Sequence, residues 1–298
     1  MKRVWIILLV LLAWSLPTYA QDLTPETPLL AILQGEVFRV VEDTLETYPA
    51  CTPEERLTNQ VSVAPGGQYL LLVTFPPVID AALAELGTLG DASFGFNLWL
   101  CDLTTDTLER IYAVPGGDAP FTGEIPELDV INSRPVWSPG GELLAWAVLD
   151  ANSQEQFIIR YEVASGMQER SPLDVPLPFG YFAPPELLWG ANSIFFTLST
   201  LNQETFLDEE YFYVIEPQSG AVVSETLLQA AGEQGDFIIE RLPIVGQDGL
   251  DYLALRYSQA GWVLANPRSG AQEPMPELPE LYTPSAPQGL SLLMDTDE

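Results

Sequence analysis

Short apolar runs alternate with turn-forming clusters along almost the whole chain, and the runs have the length of strands rather than helices. The clearest case is Arg134-Pro135-Val136-Trp137-Ser138-Pro139-Gly140-Gly141-Glu142-Leu143-Leu144-Ala145-Trp146-Ala147. Proline presets φ for a turn and glycine accepts positive φ, so Ser-Pro-Gly-Gly between β-rich runs predicts a hairpin. Weaker copies recur. Val63-Ala64-Pro65-Gly66-Gly67 leads into 68–75, and the corresponding turns further on are Gly190-Ala191-Asn192, Gln247-Asp248-Gly249 and Ala286-Pro287-Gln288-Gly289.

After each of the first four of these inner hairpins comes a second, outer one. The outer pairs turn at Thr104-Thr105-Asp106-Thr107, Ala164-Ser165-Gly166, Gln218-Ser219-Gly220 and Pro267-Arg268-Ser269-Gly270. The chain ends on an inner pair, 281–295, with no outer pair behind it. It begins, at 29–41 and 45–58, with an outer-looking pair that no inner pair precedes. Those halves complete each other. The pattern predicts an all-β fold, a β-propeller of four-stranded antiparallel blades, five in number, closed by pairing the N- and C-terminal strands. Closure removes edge strands that would otherwise recruit other chains. Repeat spacings scatter around the 40–50 residues of propeller blades, about the period expected. Two insertions, 76–96 and 113–132, stretch the first interval, and a sixth, degenerate blade in 113–132 or 172–185 is the alternative count. Within the first insertion, 78–88 predicts a short helix over the mouth of the ring.

The units resemble the repeats of TolB-type propellers, a group that includes the propeller domains of prolyl-oligopeptidase relatives. Trp137-Ser138-Pro139-Gly140-Gly141 matches that motif fully and Val63-Ala64-Pro65-Gly66-Gly67 well, while 97–107, 159–166, 214–220 and 263–270 match its outer pair. The resemblance spans 29–298, implying one propeller domain. It is a structural signature: its Trp, Ser and Gly positions serve packing and turns. Ser138 sits where an exposed nucleophile could, yet its counterparts are Ala64 and Gly190, and no base to activate it is evident in the sequence.

Composition narrows the chemistry. The sequence has no His, and its only Lys is Lys2. That removes the Ser-His-Asp and Cys-His nucleophile systems, His-ligated zinc and the lysine Schiff base. Lys2 and Arg3, the apolar run 4–13 and Pro17-Thr18-Tyr19-Ala20 read as a cleaved signal peptide over 1–20, followed by an extended lead-in at 21–28. The expected location is secreted, cell-surface or periplasmic. No other run is long and apolar enough for membrane insertion. The formal net charge of −31 repels phosphates and anionic lipid, so no nucleic acid partner is expected. In an exported chain the two cysteines, Cys51 and Cys101, predict one disulfide.

In a four-stranded blade the second-to-third strand loops and the links between blades share one rim, where propellers usually bind ligands. That rim collects 76–96, 113–132, 150–155, 172–185, 200–210 and 229–240, and long ordered loops of this kind often carry function. The candidate ligand residues there are Asp118, Glu124, Glu127, Asp129, Asp208, Glu209 and Glu210, with Phe94, Phe96 and Phe121 (and Tyr181 and Phe182) as aromatic neighbours. The leading expectation is a non-enzymatic, monomeric scaffold that binds a protein, peptide or glycan partner and needs no cofactor. The alternative is a carboxylate-dependent hydrolase or lyase at the propeller mouth, Ca²⁺-assisted if the acids converge.

Overall fold

The computed structural model describes residues 29–33, 36–41, 44–87, 95–175, 185–201, 208–229, 238–246, 248–275 and 292–294. The expected signal peptide and lead-in, the 281–285 strand, Phe94, Tyr181 and Phe182 lie outside them. Within the described residues the regular structure is all strand, except for one helix and one 3-10 turn at Pro49–Cys51.

The strands form five sheets in chain order. The first holds β1 (Leu29–Leu33), β2 (Glu36–Val41) and β3 (Thr44–Thr47). The second holds β4 (Leu57–Val63), β5 (Tyr69–Thr74), β6 (Asn97–Asp102) and β7 (Thr107–Tyr112). In the third are β8 (Val130–Ile131), β9 (Val136–Trp137), β10 (Leu143–Leu149), β11 (Gln156–Glu162) and β12 (Met167–Pro172). The fourth comprises β13 (Glu186–Trp189), β14 (Ile194–Leu201), β15 (Asp208–Ile215) and β16 (Val222–Gln229). The fifth comprises β17 (Ile238–Val245), β18 (Asp251–Tyr257), β19 (Gly261–Ala265) and β20 (Gln272–Pro274). A last strand, β21 (Leu292–Met294), pairs with β1. These are the repeated up-and-down sheets of a β-propeller.

Three details depart from the sequence reading. The strands expected at 29–33 and 35–41 are present, but with Thr44–Thr47 they make three strands rather than an outer pair, and Leu57 already belongs to the second sheet. First and last strands do pair, but Leu30–Leu292 and Ile32–Met294 are in parallel register. No hairpin joins these two strands, so no tight turn imposes the antiparallel arrangement found within the other sheets. In the third sheet both β8 and β9 pair with β10, as two pieces of one inner strand. Asn132 N–H still bonds Ala147 O at 3.0 Å, while Ala147 N–H turns to Ser133 Oγ at 2.9 Å. Pairing resumes at Val136, so four residues on one side span two on the other. The segment 113–129, one place considered for a sixth blade, is an irregular link.

Burial on both faces explains the apolar runs. Along β10, Leu144, Trp146 and Val148 pack with Leu71, Leu98 and Ile111 of the second sheet. Ala145 and Ala147, on the opposite face, pack with Leu187, Phe196 and Tyr213 of the fourth. The same division joins the first sheet to the second through Leu30, Val37, Leu70 and Leu72, and the fourth to the fifth through Phe195, Phe212, Leu253 and Leu255. Each fully buried Leu or Phe contributes about 1.5–3 kcal/mol, so these four seams dominate the packing energy.

The turns are built as their sequence predicts. Ser138 Oγ is buried and accepts Leu143 N–H at 3.0 Å, which makes it a turn residue. Gly141 has φ 78°, and a Cβ there would meet Pro65 O of the neighbouring turn at 2.8 Å. The outer turns repeat one pattern: Gly166, Gly220 and Gly270 each donate to the carbonyl four residues back at 2.9 Å. Asp106, with φ 54°, stands in the corresponding outer turn of the second sheet. Its carboxylate accepts the Tyr48 hydroxyl from the link that leaves the first sheet. Beside this tie lies the expected disulfide, Cys51–Cys101, fully buried with Cα atoms 5.5 Å apart.

Two outcomes follow from this junction. Closing a loop of 50 residues, the Cys51–Cys101 bond should contribute roughly 3–4 kcal/mol on the chain-entropy model, and Cys51→Ser/Cys101→Ser should lower the urea midpoint accordingly. Burial, then the Asp106 acceptor, pushes the Tyr48 hydroxyl up to about 12. Folding therefore favours the neutral phenol, and its contribution is complete below the ordinary value of 10.0 and lost as pH climbs through about 12. Urea midpoints taken across that window should fall more steeply for the native chain than for Tyr48→Phe, which should cost about 1 kcal/mol at neutral pH.

Candidate functional site

The insertion between β5 and β6 supplies the one helix among the described residues, α1 (Pro77–Leu86). Pro77 opens it at the first turn, and Gly87, at φ 73°, closes it by donating to Leu83 O at 2.9 Å. Val78, Ile79 and Ala82 form its buried face. They pack with Val114 and Leu128 of the 113–129 link, and Val78 N–H bonds Gly117 O at 3.0 Å. α1 and the 113–129 link thus make one ordered body with a small core of its own. Ala81, Ala84, Glu85 and Leu86 point to solvent.

Beneath this body lies a polar hub that the sequence did not reveal. The Glu55 side chain, 11% exposed, accepts Thr74 Oγ1 at 2.5 Å, Trp99 Nε1 at 2.9 Å, Asn97 Nδ2 at 3.0 Å and Arg110 Nη1 at 3.1 Å. Asn97 also accepts Val114 N–H through Oδ1 at 2.9 Å, tying the link to the sheet. Arg110 turns its two terminal nitrogens to Asp118, both at 2.9 Å, and lies 5.8 Å from the Trp99 ring centre. The Asp118 bonds hold the guanidinium above its ordinary value against a partial burial that lowers it, and Glu55 adds to the rise. Glu55 is one of two adjacent acids in a link of irregular structure, and its partners come from elsewhere in the sequence. No local signal marks it.

The predicted candidates scatter among several roles. Asp118 is the exposed end of the Arg110 fork. Asp129 is buried and accepts Ala151 N–H at 3.1 Å, bracing the turn after β10. Glu210 is buried on β15 and pairs with Arg241 of β17, whose second partner is Glu186 at 3.4 Å. Burial lowers the Arg241 value, but Glu210 and then Glu186 outweigh it and the net shift is upward. Glu124 and Glu127 are exposed on the 113–129 link. Asp208 and Glu209 lie at the start of β15. Phe96 packs 5.6 Å from Phe75, and Phe121 lies under α1.

Chemically, four of these acids, Glu55, Asp118, Asp129 and Glu210, are held by cations or neutral donors. Glu55 and Asp118 share one nitrogen of Arg110, so the guanidinium occupies the space that a sugar or water would need between two catalytic carboxylates. Among the described residues no group of three or more His, Cys, Asp or Glu is placed to hold a metal ion. No helix of the described residues is long and apolar enough to cross a membrane.

No family model and no curated protein matches the chain. Solved structures do. An oligogalacturonate lyase from Vibrio parahaemolyticus aligns at 11% identity and TM-score 0.46, over 83% of this chain and 61% of its own. The β-propeller domain of the trilobed protease from Pyrococcus furiosus aligns at 12% identity and TM-score 0.37, over 74% and 57%. An acylaminoacyl peptidase from Pyrococcus horikoshii aligns at 10% identity and TM-score 0.38, over 72% and 31%. The chain spans less than two thirds of the length of each. The overlaps are loose, and the fold assignment rests on the sheets and their pairing.

The Glu210–Arg241 pair gives this site a sharp energetic test. Arg241→Met leaves a buried carboxylate without its guanidinium and should cost about 3–5 kcal/mol. Arg241→Met with Glu210→Leu should recover most of that loss, read as the coupling in a double-mutant cycle of urea midpoints.

Proposed function

We propose that the chain is an exported, monomeric propeller scaffold with TolB-type repeats, which binds a protein, peptide or glycan partner through its loop rim. The observation that carries this reading is the ordered body of α1 and 113–129, with its own small core and an outward face of Ala81, Ala84, Glu85 and Leu86. Leu86 is 49% exposed at the helix end, an apolar anchor next to the exposed Glu85. Ordered insertions on a rigid repeat are where binding surfaces concentrate. Export is supported by the buried disulfide, a bond of oxidising compartments, and by the signal-like first twenty residues.

The competing reading is a carboxylate-dependent hydrolase or lyase, Ca²⁺-assisted or not. That reading would draw on acids such as Glu124 and Glu127, since Glu55, Asp118, Asp129 and Glu210 each hold a structural partner. The proposal includes no catalytic residue and no cofactor.

Peptide and glycan arrays probed with the native chain and with Glu85→Arg/Leu86→Arg test it. A ligand bound by the native chain should bind the variant at least about tenfold more weakly, with the melting temperature held, since exposed substitutions change stability little. Binding that survives the double change places the contact elsewhere and defeats the reading. So does turnover: new amino termini or reducing ends that accumulate on that ligand, and that vanish in Glu124→Gln/Glu127→Gln, establish the enzyme instead. Calcium at about 5 mM should leave the melting temperature unchanged, because only a ligand of the folded state raises it.

A further inference from the structure

Among the described residues each sheet ends outward in a strand that pairs on one side only, and four of these five edges are guarded. β3 has four residues and β20 three, the latter ending in Pro274. β7 carries Glu109 and Arg110, and β12 carries Glu169, Arg170 and the terminal Pro172. Shortness, charge and proline are the devices by which natural sheets discourage added strands. β16 has none of them in strength. It runs eight residues, Val222-Val223-Ser224-Glu225-Thr226-Leu227-Leu228-Gln229, with no proline, no cation and a single acid. It pairs with β15 along its length, with one irregularity near Val222, so its backbone is held extended. Among the described residues it has no strand partner on its other side. Val223 is 50% exposed and Leu227 38%, with the exposed Glu225 between them.

We infer that β16 is a strand-addition site for an extended, cationic peptide segment of a partner protein. The edge offers backbone donors and acceptors in regular register, which supply affinity for any extended chain, while alternate side chains choose among them. Here the alternation is apolar, acidic, apolar. It fits a strand presenting a Lys or Arg between two β-branched residues, placed opposite Glu225. Charge settles the occupant against a second copy. The chain carries a formal −31, so a second copy adds like charge to like. Self-pairing about the middle of β16 would also bring two Glu225 carboxylates into diagonal reach, which is destabilising. A basic segment gains from both. This site lies on an outer edge, apart from the α1 rim, and stands or falls separately from the rim reading.

The probe is a fluorescein-labelled peptide, Thr-Val-Thr-Lys-Thr-Val-Thr, which puts its Lys between two Val on one face, titrated with the full chain and followed by anisotropy. Saturable binding is expected, and a Glu-for-Lys peptide should bind at least about tenfold more weakly. Two N-methylated forms of the probe, blocked on alternate amides, keep its charge but remove donors from one edge or the other. One should lose binding and its sister keep it. If both bind like the parent, the attraction is diffuse electrostatics and the inference is wrong. Val223→Lys/Leu227→Lys should also weaken the probe about tenfold without lowering the melting temperature, since edge lysines repel added cationic strands. An unchanged affinity overturns the assignment to β16. A concentration-dependent dimer by light scattering that this double variant dissolves overturns the choice of occupant.

Discussion

A propeller sheet has two faces and no layer of helices to cover them, so each must be buried against the next sheet in the series. That constraint shapes most of the chain. It explains why the second strands are continuously apolar where a half-exposed strand would alternate. It also explains the unequal sizes on β10, where Trp146 fills one seam and Ala145 and Ala147 allow close approach at the other. The four seams carry the packing, and the polar ties lie around them. Tyr48–Asp106 and Cys51–Cys101 fasten the first sheet to the second, while Glu210–Arg241 fastens the fourth to the fifth.

Because the units are stacked rather than interleaved, what a repeat needs locally is written locally. The Pro-Gly-Gly turns, the outer turns ending in Ser-Gly and the helix in the first insertion were all legible, since each depends on the conformational limits of a few adjacent residues. So was the disulfide, from two cysteines in a chain read as exported. The parallel pairing of β21 with β1 was not legible, because nothing adjacent in sequence dictates how separated ends meet. Glu55 was not legible either. Its partners at Thr74, Asn97, Trp99 and Arg110 come from three different strands. The apolar pattern that marks strands says nothing about where such groups converge. Asp106 lies between these cases. It departs from the glycine found at Gly166, Gly220 and Gly270, and a residue held at φ 54° for the sake of a distant hydroxyl leaves that departure as its only trace in the sequence.

The acids show how charge and function separate. With so few cations in the sequence, each arginine that meets a carboxylate does so at a place where strands or links must be joined. Arg110 joins a link to the second sheet, Arg170 reaches Asp150 in the turn after β10, and Arg241 crosses between sheets. The carboxylates so used are fixed in ion pairs and poorly suited to move a proton. Asp129 and Asp251 are buried on backbone donors, and the exposed acids set the sign of the field met by a partner. Arg110, Arg170 and Arg241 are spent on structure. What the described surface presents is shape, main-chain hydrogen-bonding groups and negative charge.

Those three properties are the ones recognition uses. A repeat that closes its own seams can tolerate long insertions at the rim, because the loops contribute little to the core, and α1 with 113–129 goes further by supplying a core of its own. The same architecture leaves one outer backbone edge per sheet. Four are short, charged or proline-ended, and the energetic sense of that guarding is that an unguarded edge attracts strands. An eight-residue edge left without such protection, in a molecule that repels its own copies by charge, is selective by construction. It turns away acidic chains, its own copies among them, and favours extended segments that bring positive charge.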